Sequence, residues 1–250
     1  MAEVISTVEK EAIFDKTFEC PICNREIKAK TIKTGKCKLE STDEDLRPVY
    51  HNIDSLKYDV VFCPHCGYAT LKKFFDEPIL PVQKKNLTEK VCNNFKGTGK
   101  EPAAYTYEES IRRHKFALLC SMVKEAKLSE QAYTCLKIAW LYRGERELYI
   151  REGAVNQEEQ AKLWNEEQAY ITKAYHGFSE AYIKEDFPMC GMDEVTYSYL
   201  LADLAYKTEH IKEARRWISS VISSPSASQR VKEKARDLKD VIQSTHGEEE

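Results

Sequence analysis

The spacing of apolar residues changes period once along this chain. Up to about residue 82 apolar and polar positions alternate over short stretches. Ile27, Ala29 and Thr31 alternate with charged residues, and Leu56 to Phe62 alternates likewise and runs directly into Cys63. A period of two is that of half-buried strands. Between these stretches, Ser41 to Pro48 is acidic and loop-like. From Gln83 to Pro102 the chain turns rich in Lys, Asn and Gly, with little to bury; that composition reads as a linker.

After Pro102 the period becomes helical. Tyr107, Ile111, His114, Leu118 and Met122 step by four and three, and Ala132 to Tyr142 repeat the spacing after Ser129, a candidate N-cap. Four more helices follow: Trp164 to Tyr182, stopped by Pro188; Val195 to Tyr206; Ile211 to Val221, with Pro225 beyond it; and Val231 to Ile242. Gly247 to Glu250 are expected to fray. Small and large residues at Leu201, Ala202, Ala205, Ala214, Ile218 and Val221 match the spacing of a tetratricopeptide unit, in which small side chains let two helices approach closely. The pattern therefore predicts an α+β chain, mainly α. A β module over 1–82, a linker over 83–102 and an α-helical, tetratricopeptide-like domain over 103–246 follow one another.

Composition adds mostly exclusions. The chain is 42% apolar and 32% charged with a net charge of −3, so no global positive field gathers nucleic acid or anionic membrane. No apolar run approaches the roughly 18 residues of a membrane span, and no basic segment leads an apolar one at the N-terminus. A cytoplasmic location, with reduced thiols, is expected. Nine cysteines, an odd number, argue against a secreted disulfide framework.

The cysteines themselves carry the chemistry. Cys20-Pro21-Ile22-Cys23 and Cys63-Pro64-His65-Cys66-Gly67 form two turns of one sequence frame. Cys-x-x-Cys spacing brings both sulfurs of a turn to one ion, and two such turns supply a closed tetrahedral zinc site. The 39 residues between the pairs exceed the usual ribbon spacing of about 15–20. Cys63-Pro64-His65-Cys66 also has the form of a thiol-disulfide active site, but no parallel-sheet pattern surrounds it and the first pair would go unexplained. Cys37, His51 and His65 are read as packing or solvated residues, and Asp43, Glu44 and Asp45 as a solvated acidic loop. No phosphate-cradling loop, nucleophile elbow or His-Glu-x-x-His helix is present. Four thiolates would leave the metal no open position, which points to a structural role.

Taken together, the first cysteine turn, Asp43 to Tyr50, Tyr58 through Ala69, Leu136 to Arg143 and Phe187 to Asp193 resemble a bacterial family of uncharacterised proteins, the domain of unknown function 2225. The resemblance spans nearly the whole chain. It implies a ribbon-like metal-binding front end with tetratricopeptide-like helices behind, and it implies no activity. The expected function is a non-enzymatic adaptor whose helices bind another protein. The alternative is nucleic-acid binding through the ribbon, helped by Lys28, Lys30, Lys33, Lys36 and Lys38, although alternate lysines also protect strand edges.

Overall fold

In the computed structural model every residue is described except 1, 2, 4, 99, 100, 154, 155 and 248–250. Of the terminus expected to fray, only Gly247 is among the described residues.

Three two-stranded antiparallel hairpins occupy the N-terminal third, after a short helix α1 (Thr7–Ala12). Strands β1 (Ile13–Glu19) and β2 (Glu26–Ile32) pair from Ile13↔Ile32 to Glu19↔Glu26. Strands β3 (Leu39–Thr42) and β4 (Pro48–Tyr50) form the second hairpin, and β5 (Val60–Phe62) and β6 (Ala69–Leu71) the third. The alternation over residues 56–62 is only partly a strand. Asp54 caps a single 3₁₀ turn, Ser55–Tyr58, by accepting from the Leu56 N–H at 2.9 Å. What remains of the strand is buried on both faces. Val61 packs with the paired cysteines, whereas Val60 and Phe62 pack with Ala69, Leu71 and Ala117.

The expected linker is also more structured than its composition suggests. It carries helix α2 (Pro81–Lys90), and Leu87 and Val91 are buried beside the cysteines. Leu87 within the helix and Val91 just past its end are its apolar anchors, and Gln83 adds a hydrogen bond to the Lys124 carbonyl at 2.9 Å.

Six longer helices follow: α3 (Tyr107–Val123), α4 (Leu128–Arg151), α5 (Gln157–Lys184), α6 (Glu194–Lys207), α7 (Ile211–Ser223) and α8 (Gln229–His246). They form one continuous apolar core running from Tyr107 to Ile242. Each starts and stops near the apolar pattern's own limits, except that α4 and α5 run further. At 24 and 28 residues they form a hairpin longer than a tetratricopeptide unit of about 34 residues. A bare backbone position brings these two helices together: a Cβ on Gly177 would lie 2.9 Å from that of Ala132. Ser129 is not the cap of α4. It lies within the first turn, and its hydroxyl donates to Glu185 at 2.5 Å. No helix among the described residues is long and apolar enough to cross a membrane.

Helix α3 joins the two regions. Cys120 takes the Ala69 N–H at 3.4 Å, Ser110 donates to the Lys57 carbonyl, and Lys137 on α4 reaches Asp59 at 2.5 Å. His114 is completely buried on this helix. Its Nδ1 donates to the Ser110 carbonyl at 2.7 Å, and Nε2 has no partner among the described residues. Burial depresses its pKa from the ordinary 6.5 to about 4. Between those values the unfolded chain binds a proton that the folded one refuses. Stability should therefore fall by about 3 kcal/mol as pH drops from 6.5 to 4. Urea unfolding at a series of pH values should show this slope in the native chain and a flatter one in His114→Gln.

Candidate metal centre

Each cysteine pair is the loop of a hairpin: residues 20–25 join β1 to β2, and 63–68 join β5 to β6. The two loops are built alike, bond for bond. In the first, the Cys20 N–H donates to the Arg25 carbonyl at 2.9 Å and the Asn24 N–H to the Cys20 carbonyl at 2.8 Å. In the second, Cys63 donates to Tyr68 at 2.7 Å and Gly67 to Cys63 at 3.0 Å. Both loops close through a left-handed residue one place after the second cysteine, Asn24 at φ 56° and Gly67 at φ 76°. Asn is among the few side-chain-bearing residues that tolerate this conformation.

The match continues at sulfur. Backbone N–H groups of Ile22 and Cys23 point at the Cys20 sulfur, and those of His65 and Cys66 at the Cys63 sulfur. Arg25 and Tyr68 serve Cys23 and Cys66 in the same way. Such donors orient sulfur ligands and stabilise thiolate charge.

Facing each other, the loops bring Cys20 Sγ to 3.6 Å from Cys66 Sγ and Cys23 Sγ to 3.6 Å from Cys63 Sγ. All four sulfurs lie within 4.8 Å of one another. A disulfide needs about 2.05 Å, so these are four free thiols. Four ligands at a zinc–sulfur distance of about 2.3 Å stand about 3.8 Å apart in a tetrahedron, and the observed spacing matches. Cys20 and Cys63 are fully buried, Cys66 nearly so, and Cys23 reaches the surface. The four clustered cysteines could hold a metal ion such as zinc.

Electrostatics gives the cluster a reason to want one. The Cys63 sulfur and burial push the Cys20 thiol up to about 12, against the sulfur hydrogen bond from Cys66. At Cys63 the Cys20 contact lowers the pKa, but Cys66 and burial outweigh it, and the thiol also stands at about 12. Four thiolates this close repel one another. A dication at their centre reverses that balance and deprotonates them.

The other candidates lie elsewhere. Cys37 is half-buried with its sulfur 3.8 Å from the Ile53 carbonyl, and His65 is exposed. His51 is exposed, 3.8 Å from Glu40. Cys92 and Cys120, outside the motifs, pack against the cluster without joining it. In the lysine row, Lys30 pairs with Asp15 at 2.7 Å and Lys33 donates to the Glu11 carbonyl, while Lys28, Lys36 and Lys38 are exposed.

The acidic stretch at 43–45 corrects the sequence expectation most sharply. It is no solvated loop: it is the turn of the β3–β4 hairpin, and Asp45 is fully buried. Arg143 of α4 grips Asp45 at 2.5 and 3.1 Å, and Lys207 of α6 lies 3.3 Å away. Arg143 also reaches Asp43 at 3.1 Å and Glu167 of α5 at 2.7 Å, and Arg47 joins Asp43 to Glu147. Burial would raise the Asp45 pKa, but Lys207 and Arg143 outweigh it and hold the carboxyl far below its usual range. Leu46 takes the left-handed φ of 67° that closes this turn, a costly conformation for a branched side chain, and the ion pairs on either side fix it in place.

Asn24 was the residue that motif spacing left unremarked. Its signal was available, since it holds the offset in the first loop that Gly67 holds in the second. The two positions nevertheless differ in surroundings. A Cβ on Gly67 would lie 2.7 Å from the Phe95 ring. Asn24→Gly should therefore leave the thermal midpoint within about 2 °C, whereas Gly67→Asn should lower it by about 5 °C or more. Equal effects in differential scanning calorimetry would refute the asymmetry.

No curated protein and no solved structure matches the chain at a significant level. Residues 13–242 match the family model described as an uncharacterized protein conserved in bacteria (DUF2225). That span holds both cysteine turns, the buried ion pairs and all the helices from α2 to α7, and the chain belongs to this bacterial family.

Proposed function

We propose that this chain is a non-catalytic adaptor, in which a structural zinc ion fixes the hairpin module and the helices bind another protein. The observation that carries the reading is the cysteine cluster. Its four sulfurs lie within 4.8 Å of one another, a spacing that suits a tetrahedral zinc, and backbone N–H groups face them. A metal held by four thiolates has no position for water or substrate. Its work is then to hold two hairpins together. The hairpins in turn brace α3, α4 and α6, so rigidity is passed to the helical surface.

Elemental analysis of the purified chain should give about one zinc per molecule. The cobalt-substituted protein should show a tetrahedral thiolate spectrum that added imidazole leaves unchanged. A spectrum that shifts with imidazole would indicate an open, catalytic position and defeat the adaptor reading. Salt-sensitive binding of duplex or single-stranded DNA at low ionic strength would instead favour the lysine row and nucleic acid.

A further inference from the structure

We propose that the groove along α3 and α4, continuing to the start of α5, docks a basic amphipathic helix of the partner protein. This rests on the adaptor reading and specifies the partner's chemistry. Two adjoining concavities of about 520 and about 760 Å³ make up the groove, and both are lined by Glu108, Lys115, Tyr142 and Glu145. The first concavity is mainly apolar, lined by Ile111, Phe116, Leu119 and Tyr142; the second is more polar, with Tyr149 and Leu163 as its apolar patches. Leu119 is 44% exposed, as an anchor residue waiting for a cover would be. An apolar concavity flanked by charged side chains on neighbouring helices can accept the apolar face of a helix.

Charge selects the occupant. The walls carry Glu108, Glu145, Glu158, Glu159 and Glu166 against Arg112, Lys115 and Lys162. Two of the three cations are engaged. Arg112 is held by Glu109 at 2.8 and 2.9 Å, and Lys115 lies over the Tyr142 ring and 3.7 Å from Glu166. Among the described residues no ion pair within 4.0 Å involves Glu108, Glu145, Glu158 or Glu159. Three of these sit in first helical turns, where the helix dipole welcomes acids.

Glu145 has no such reason. It lies in the C-terminal half of α4, half-buried, and among the described residues only the Tyr149 hydroxyl donates to it, at 3.3 Å. Burial, with Glu3, Glu108 and Glu159 nearby, pushes its pKa up to about 7. A half-buried carboxylate without an ion pair, beside an apolar concavity, is well placed to receive Lys or Arg.

The test uses the full chain and a fluorescein-labelled synthetic peptide, KLAKLAKKLAKLAK, with ELAELAEELAELAE as its charge-reversed counterpart. Fluorescence anisotropy should show saturable binding of the basic peptide and none of the acidic one. The double reversal Glu108→Lys with Glu145→Lys should weaken binding about tenfold or more, and Leu119→Ser about as much. Glu89→Lys, on α2 and outside the groove, should change it less than about twofold. Glu145→Gln separates docking from structure: it should weaken the peptide while leaving the free chain's thermal midpoint equal or higher. No binding by the basic peptide, equal binding of both peptides, or loss of stability in Glu145→Gln would overturn the proposal. So would a sedimenting dimer that Leu119→Ser dissociates, since a second copy would then occupy the groove. None of these outcomes alters the zinc and cobalt measurements, which judge the adaptor reading separately.

Discussion

Replacing Cys63 with serine is expected to strip the metal from the protein and lower its thermal midpoint by about 10 °C or more. The size follows from what a structural zinc supplies. Apparent binding free energies in small zinc modules run to about 10–16 kcal/mol near neutral pH, and where the site forms only on folding that energy is folding energy. Here part of the module is also held by α3 and by the buried ion pairs, so only a share of it should appear as lost stability. A loss of about 4 kcal/mol corresponds to about 10 °C in a chain of this size. Cys63 is the ligand to choose because it is fully buried and receives two backbone N–H groups; serine there would leave those donors facing a poorer acceptor. Cys37→Ser, 3.8 Å from a carbonyl and apart from the cluster, is the control and should keep the full metal content. Elemental analysis and calorimetry with and without a chelator check both. Metal well below one per chain in the native protein, with Cys63→Ser melting unchanged, would remove the site from the account.

Arg143→Ala is expected to destabilise the chain by about 2–4 kcal/mol, somewhat less than the cost of leaving a buried charge with no partner at all. Its guanidinium faces Asp45, fully buried, and Glu167, 2% exposed, and without it each keeps a single cation, Lys207 at 3.3 Å and Arg146 at 3.0 Å. Arg143→Lys should recover only part of the loss. An ammonium keeps the charge but cannot span Asp45, Asp43 and Glu167 with the planar fork that now does so. The exposed Lys184–Glu180 pair offers the contrast, and its removal should cost less than about 1 kcal/mol. Denaturant unfolding of the four proteins should rank them native, Lys184→Ala, Arg143→Lys, Arg143→Ala. If Arg143→Ala unfolded no more easily than Lys184→Ala, the network would contribute nothing to the fold.

What could be read from the sequence divides along physical lines. The longer helices were legible because each carries its own apolar stripe, a local signal that tertiary packing only confirms. The cysteine turns were legible because spacing within each turn is set by the geometry of one loop. Asp45 was not. Its partners are Arg143 and Lys207, about a hundred residues away or more, and Asp43-Glu44-Asp45 alone has the composition of a loop in water. The 3₁₀ turn at Ser55–Tyr58 was hidden for another reason. Burial on both faces permits apolar residues wherever they fall, so alternation there carries no information about conformation. Helix α2 buries too few residues for a period to show.

The β3–β4 hairpin lies between the two cysteine turns in the chain, and its tip lies against α4 and α6. A metal held by the four cysteines would thus pin both ends of a loop whose middle is clamped by the helices. Opening the cysteine end would loosen both ends and add conformational entropy that the Asp45 clamp and the contacts with α3 must then overcome. Thermodynamic reciprocity follows: chelation should weaken the grip on the helices, and breaking the grip should weaken the hold on the metal. Metal affinity measured in Arg143→Ala is therefore a gauge of how tightly the far side of the molecule is latched.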